Sequence, residues 1–225
     1  MYKVCCIVFL ESNNMEIYIT EGIDGSGKSR ASEFIAQTFS IPDELKFREP
    51  DGYYRQILSR AAAGTVEMSV LDEWMCFWLY RFDLWMNHIL PHADEDVVVV
   101  IDRSFVSTYA YQISGRGLGP EFEKSFFFWK NRLLELFTDK DVRIHHVYMK
   151  ASVMVAQSRI GFRGVKDGDL TQFEEGNMQM RVRSGFNLYY HNDKNLSSIE
   201  GLIVIDADKD IDEVQAELRD KLVIT

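Results

Sequence analysis

The segment Gly22-Ile23-Asp24-Gly25-Ser26-Gly27-Lys28-Ser29 fits the pattern G-x-x-x-x-G-K-[ST]. Its glycines let backbone N–H groups turn inward around phosphate oxygens, Lys28 reaches the β- and γ-phosphates, and the Ser29 hydroxyl is placed to ligate Mg2+. A helix beginning near Lys28 adds its positive dipole end. Asp102 closes the apolar run Val97-Val98-Val99-Val100-Ile101. A carboxylate at that strand end is placed to hold Mg2+ or its water beside the glycine-rich loop. Arg48 and Arg103 follow the second and third expected strands, and the planar fork of arginine matches phosphate oxygens.

These residues need a frame of strands and helices. Ile17, Tyr18 and Ile19 form a β-rich run leading into the glycine-rich segment, and helical spacing follows through Ala31, Phe34, Ile35 and Phe39. A short second strand holds Lys46–Arg48 and stops at Glu49-Pro50. A long helix is expected over 67–89, with Trp74, Phe77, Trp78, Phe82 and Trp85 on a broad apolar face, and Pro91 ends it. The β-branched run 97–101 suits a strand buried on both faces of a parallel sheet. A helix over about 121–137, a strand at 142–149, helices over 152–160 and 173–190, a strand at 201–205 and a helix over 211–222 complete the order. The stretch 161–171, with three glycines and mixed charges, reads as a mobile loop. Alternating strands and helices imply an α/β fold, with a five-stranded parallel sheet and helices on both faces. Ligands of such sheets sit at the carboxyl ends of the strands.

The 225 residues suit one domain, and no Pro/Gly/Ser-rich linker divides them. Residues 15–225 therefore read as one domain, and 1–14 as a short N-terminal extension or a mis-assigned start, since Met15 stands directly before the first strand. The apolar run from Val4 to Leu10 is at the short limit for a signal peptide, and no small-residue cleavage site follows it. The formal charge of −10, from 25 Lys+Arg against 35 Asp+Glu, repels polyanions. Nucleic acid and membrane are thus not expected as partners, and any phosphate must meet a local basic pocket. The three cysteines form no disulfide framework and the five histidines no zinc pattern, which fits a reduced, cytoplasmic setting.

Several separate motifs together resemble thymidylate kinases, nucleoside monophosphate kinases with a three-layer P-loop fold and a mobile lid. The resemblance rests on Arg48-Glu49-Pro50, on Phe77 and Arg81, and on Pro91 ten residues after that arginine. It continues through Asp102-Arg103, Ser107-Thr108, Ala110-Tyr111-Gln112, Gly115-Arg116-Gly117, the lid entrance 159–164 and Arg181-Val182-Arg183. It covers about residues 17–218. The chain departs from the family pattern at Asp51, Ser104, Val153-Met154 and Leu170, the last where many members carry a lid arginine.

Phe77 and Arg81 share one helix face, and a pyrimidine explains both: Phe77 stacks on the ring and Arg81 donates to a carbonyl oxygen. Core packing alone would also account for Phe77. The resemblance implies that Arg48 and Arg103 clamp the acceptor phosphate and that Asp24 lies near the sugar 3′-hydroxyl. It also implies that Tyr111 packs against the 2′ carbon and that Thr108 and Gln112, assisted by Ser107, face the base. Arg159 is expected on adenine and Arg163 on the transferring phosphoryl. The implied reaction is ATP + dTMP to ADP + dTDP in dTTP synthesis, with Mg2+ and a homodimer joined through helices. A deoxynucleoside kinase, a kinase of a modified deoxyuridylate, and a non-catalytic nucleotide-binding protein are the competing readings. The run Phe126-Phe127-Phe128-Trp129 reads as packing.

Overall fold

The computed structural model describes residues 14–162 and 176–222. The strands are β1 (Met15–Glu21), β2 (Lys46–Arg48), β3 (Val98–Asp102), β4 (Val142–Lys150) and β5 (Glu200–Asp206). They form a single sheet in the order β2-β3-β1-β4-β5, and every pairing is parallel. β1 lies at the centre and is buried along almost its whole length, as a strand covered on both faces must be. The register sets Thr20 opposite Asp102 and Asp102 opposite Arg48. Three neighbouring carboxyl ends therefore deliver the glycine-rich loop, Asp102-Arg103 and Arg48 to one place.

The helices are α1 (Lys28–Thr38), α2 (Gly52–Ala62), α3 (Val70–Leu84), α4 (Phe105–Thr108), α5 (Pro120–Leu134), α6 (Val153–Phe162), α7 (Gly176–Tyr190) and α8 (Ile211–Leu222). α1 packs on β1, β3 and α8; α4, with a π-helical extension over Tyr109–Gly115, packs against α5 and α7. α3 starts at Val70, not at 67, because Ser69 and Asp72 form a reciprocal capping box there. It runs on through a π-helical turn, Trp85–Ile89, so the expected end near Pro91 holds. α2 has no counterpart in the sequence reading. The last two helical residues of α6, Gly161 and Phe162, belong to the stretch expected to be a loop. The rest of that stretch, with Arg163 and Leu170, lies outside the described residues, as do residues 1–13.

Trp74, Trp78 and Trp85 are core residues, packed with Phe105, Phe126 and Phe137. The expected packing run of α5 divides. Phe126 is fully buried, but Phe128 is 52% exposed and Trp129 36%. A run of four successive residues on a helix spans every direction, so only part of it can face the core. Among the described residues no helix is long and apolar enough to cross a membrane.

Candidate active site

The turn from β1 into α1 is built on residues with positive φ. Gly25 sits at 83° and Gly27, which caps α1, at 92°. A Cβ on Gly25 would meet the carbonyl oxygen of Ala156 at 2.2 Å, so this position requires glycine for space as well as for conformation. The loop frames a cavity of about 600 Å³. Asp24, Gly25, Ser26, Gly27, Lys28 and Ser29 line it, and so do Arg48, Arg103 and Arg159. Gly22 and Ile23 form the shoulder of the loop outside that lining; Ile23 is buried and its carbonyl accepts a 3.0 Å hydrogen bond from Lys28 Nζ.

Asp24 is the hub of the cavity's polar wall. Its Oδ1 accepts from Lys28 Nζ at 3.2 Å and from Arg103 Nη2, and its Oδ2 accepts from Tyr111 Oη at 3.1 Å. Burial raises the pKa of this carboxyl, but Arg103 and Lys28 outweigh that and hold it well below the usual carboxylate range. Burial, and Arg103 beside it, push the Lys28 ammonium down to about 8. Arg103 itself adopts φ 73° and lies 5.0 Å over the Tyr111 ring. Its backbone N–H is tied to Thr20 O at 3.0 Å, which fixes that uncommon backbone and aims the side chain across the strand ends.

Ser29 Oγ donates to Asp102 Oδ2 at 2.7 Å, and Arg48 Nε lies 3.7 Å from the same oxygen. Asp102 Oδ1 and Ser26 Oγ are buried and have no hydrogen-bond partner among the described residues. A paired hydroxyl and carboxylate beside such orphaned oxygens fit a hard cation and its waters next to bound phosphate. Ser29 and Asp102 are therefore the residues present that suit Mg2+.

A second polar cluster lies between α3 and the α4 segment. Glu73, Phe77 and Arg81 recur every four residues along one stripe of α3, and Thr108 and Gln112 are also four apart. Arg81 Nη2 donates to Thr108 Oγ1 at 3.0 Å, and Gln112 Nε2 donates to Glu73 Oε1 at 2.9 Å. Half-buried Phe77 lies between these two cross-links along α3. Arg81 is 1% exposed and also binds Glu49, through Nε at 2.9 Å and Nη2 at 2.6 Å. Burial raises Glu49 above its ordinary range despite that partner. Ser107 is drawn elsewhere: its hydroxyl and backbone N–H both donate to buried Glu21, which turns it from the expected assisting role towards holding the helix on β1.

The geometry thus brings together Lys28, Ser29, Arg48 and Arg103 in one cavity, with Asp102 bonded to Ser29 behind it, and Phe77, Arg81, Thr108 and Gln112 in a second cluster. Tyr111 joins the two through Asp24. Arg159 Nη1 and Nη2 donate to the carbonyls of Ala207 and Lys209 at 2.8 and 3.1 Å, at the far end of the cavity where Ile211 and Gln215 of α8 line it. The sequence reading passed over the contributions of Glu49, Glu73 and α8. Glu49 stood inside a quoted motif, and Glu73 stands four residues before Phe77 on the same helix face.

A glycine-rich β1–α1 turn, a carboxylate at the neighbouring strand end and cations converging on one cavity define an α/β P-loop phosphotransferase of the nucleoside monophosphate kinase class. Comparison with known proteins narrows this. The thymidylate kinase family profile matches residues 20–218. The chain is 29% identical to a thymidylate kinase of Mycoplasma capricolum over 217 residues, covering 88% of this chain and 90% of the other. It is 30% identical to a thymidylate kinase of Fervidobacterium nodosum, covering 88% and 93%. The chain belongs to the thymidylate kinase family, whose reaction is the ATP-dependent phosphorylation of dTMP to dTDP.

Proposed function

We propose that this chain moves the γ-phosphoryl group of ATP to the phosphate of dTMP with Lys28, Arg48 and Arg103 as its principal cations. The observation that carries the reading is their convergence, with the glycine-rich loop, on one cavity at three adjacent strand ends. The acceptor is a phosphate dianion near neutral pH, so no strong general base is required. Catalysis reduces to alignment and to neutralising charge that spreads over the transferring group. Lys28 and the loop N–H groups hold the donor phosphates, while Arg48 and Arg103 hold the acceptor phosphate in line with them. Mg2+ bound by Ser29 and Asp102 would supply charge neutralisation across the donor phosphates. Arg163, outside the described residues, is assigned the transferring phosphoryl through the family resemblance. Arg159 and the α8 wall take the adenine. Phe77 stacks on the thymine, Arg81 and Gln112 address its polar edge, and Asp24 with Tyr111 faces the deoxyribose.

The exposed face of α3 carries Leu71, Met75, Leu79 and Met86, and Phe128 and Trp129 of α5 continue it. Phe82 and Trp129 stack edge-to-face at 5.5 Å across the two helices. A self-complementary apolar surface of this kind suits a two-fold homodimer.

A coupled assay of ADP release across deoxynucleoside monophosphates and free nucleosides tests the reading. Turnover with dTMP and none with thymidine is expected; thymidine as the better acceptor would favour a nucleoside kinase. Sedimentation with Leu79→Glu tests the dimer, which the added charge should dissociate.

A further inference from the structure

We propose that Glu73 is a positioning residue that sets the orientation of the Gln112 side-chain amide, and through it confines the acceptor to pyrimidines with a protonated ring N3. The proposal rests on the base-site reading above and identifies what fixes that site's hydrogen-bond polarity.

An amide presents opposite chemistry at its two ends, and nothing in its shape decides which end faces a ligand. Here the choice is made by a carboxylate. Glu73 is buried and, when ionised, accepts hydrogen bonds without donating any. Its Oε1 therefore takes the Gln112 Nε2–H, at 2.9 Å, and cannot take Oε1. Its other oxygen lies 2.7 Å from Arg116 Nη2. That cation opposes the effect of burial, which raises Glu73 above its ordinary range. Glu73 thus has one partner that favours its charged form and one that it orients.

The consequence appears at the opposite end of the amide. Gln112 Oε1 is buried and has no hydrogen-bond partner among the described residues. Arg81 Nη1 is in the same condition, although the rest of its guanidinium is bound to Glu49 and Thr108. The cluster therefore holds one unmet acceptor and one unmet donor, on side chains cross-linked to opposite ends of the Phe77 stripe. Buried polar atoms left without partners are costly, so they mark where a ligand completes the structure. A thymine or uracil edge offers an N3–H beside a carbonyl oxygen and matches both in polarity. A cytosine edge offers a bare nitrogen beside an amino group and opposes both. Sites built on buried hydrogen bonds reject such mismatches strongly.

Steady-state kinetics of Glu73→Gln with dTMP, dUMP and dCMP test this in the full chain. Glutamine at 73 can accept or donate, so the Gln112 amide is freed to turn. The expected result is a rise of about tenfold in KM for dTMP, a kcat within about threefold, and a dTMP-to-dCMP preference reduced by about tenfold or more. Glu73→Asp, which keeps the charge, should restore most of the preference. An unchanged preference in folded Glu73→Gln, with KM for ATP intact, overturns the proposal. If Glu73→Gln does not fold, Arg116→Gln carries the same readout, with a smaller shift in the same direction; an unaltered ratio there also overturns it. A Gln112→Ala enzyme with wild-type base preference would instead refute the underlying base-site reading.

Discussion

Ser29 Oγ donates a 2.7 Å hydrogen bond to Asp102 Oδ2, joining the first turn of α1 to the end of β3 beside the phosphate cradle. Ser29 is thereby held in one rotamer, and Asp102 keeps a second oxygen with no partner among the described residues. Asp102→Asn should raise the Mg2+ concentration needed for half-maximal rate by about 10–100-fold. A Mg2+ titration of the rate checks this. Ser29→Ala should shift the same curve, because it removes the other half of the pair.

Lys28 provides a prediction about protons. Burial and the neighbouring Arg103 bring its ammonium to about 8, below its ordinary value of 10.5. Triphosphate beside it favours the charged form and restores the higher value. Nucleotide binding at about pH 9 should therefore take up close to one proton, while at about pH 7 this group is already protonated and takes up none. Calorimetry in two buffers of different ionisation heat measures the difference. Lys28→Arg should abolish the uptake. Lys28→Ala should remain folded and lose phosphoryl transfer.

Arg81 has two functions that a double variant separates. Arg81→Ala leaves Glu49 buried without its cation, which should cost about 3–5 kcal/mol of stability. Adding Glu49→Gln removes the stranded charge and should return much of that stability in a denaturant titration. Acceptor use should not return with it, because the donor toward the base is still missing. Recovery of both by the double variant would mean that Arg81 serves the fold alone.

A buried triad far from the cavity governs acid stability. Glu200 accepts from Lys130 Nζ at 2.7 Å and from His146 Nε2 at 2.8 Å, all three nearly sealed from solvent. Burial raises Glu200, but His146 and Lys130 outweigh it and hold the carboxyl at about 2, against an ordinary 4.5. A depressed carboxylate stabilises the fold above the unfolded value and loses that contribution as pH falls from 4.5 towards 2. The contribution is about 3 kcal/mol. Thermal melts across that window should show the loss, and Glu200→Gln should make it smaller while lowering stability at neutral pH.

The order of strands, the parallel sheet and the P-loop were legible because continuous β-branched runs and a fixed glycine spacing are local signals. The residues assigned to the phosphate site were readable for a similar reason, since Arg48 and Asp102 close strands, Arg103 follows one, and Lys28 opens α1 after the glycine-rich loop. The partners of the buried acids were not. Glu49 with Arg81, Glu73 with Gln112 and Glu200 with Lys130 join positions 32, 39 and 70 residues apart, and composition gives no hint of which acid meets which donor. α2 escaped although its residues alternate at helical spacing: Leu58 is buried and most of its other described side chains are exposed, so no broad apolar face announces it. The exposure of Phe128 and Trp129 escaped because a run of aromatics carries no record of which side faces inward.

Asp24 has a consequence for how the cleft meets its ligands. With its carboxylate on Lys28, Arg103 and Tyr111, the cleft carries its own counter-ion. An arriving phosphate does not add to a bare cluster of cations; it exchanges with an anion already in place. The attractive field projected into solvent is correspondingly short, and a chain of formal charge −10 gains little long-range pull on nucleotides. Capture then depends on short-range fit, and association should be only weakly sensitive to ionic strength. Selectivity among anions is set at the exchange itself, since a donor phosphate must draw Lys28, and an acceptor phosphate Arg103, away from the resident carboxylate.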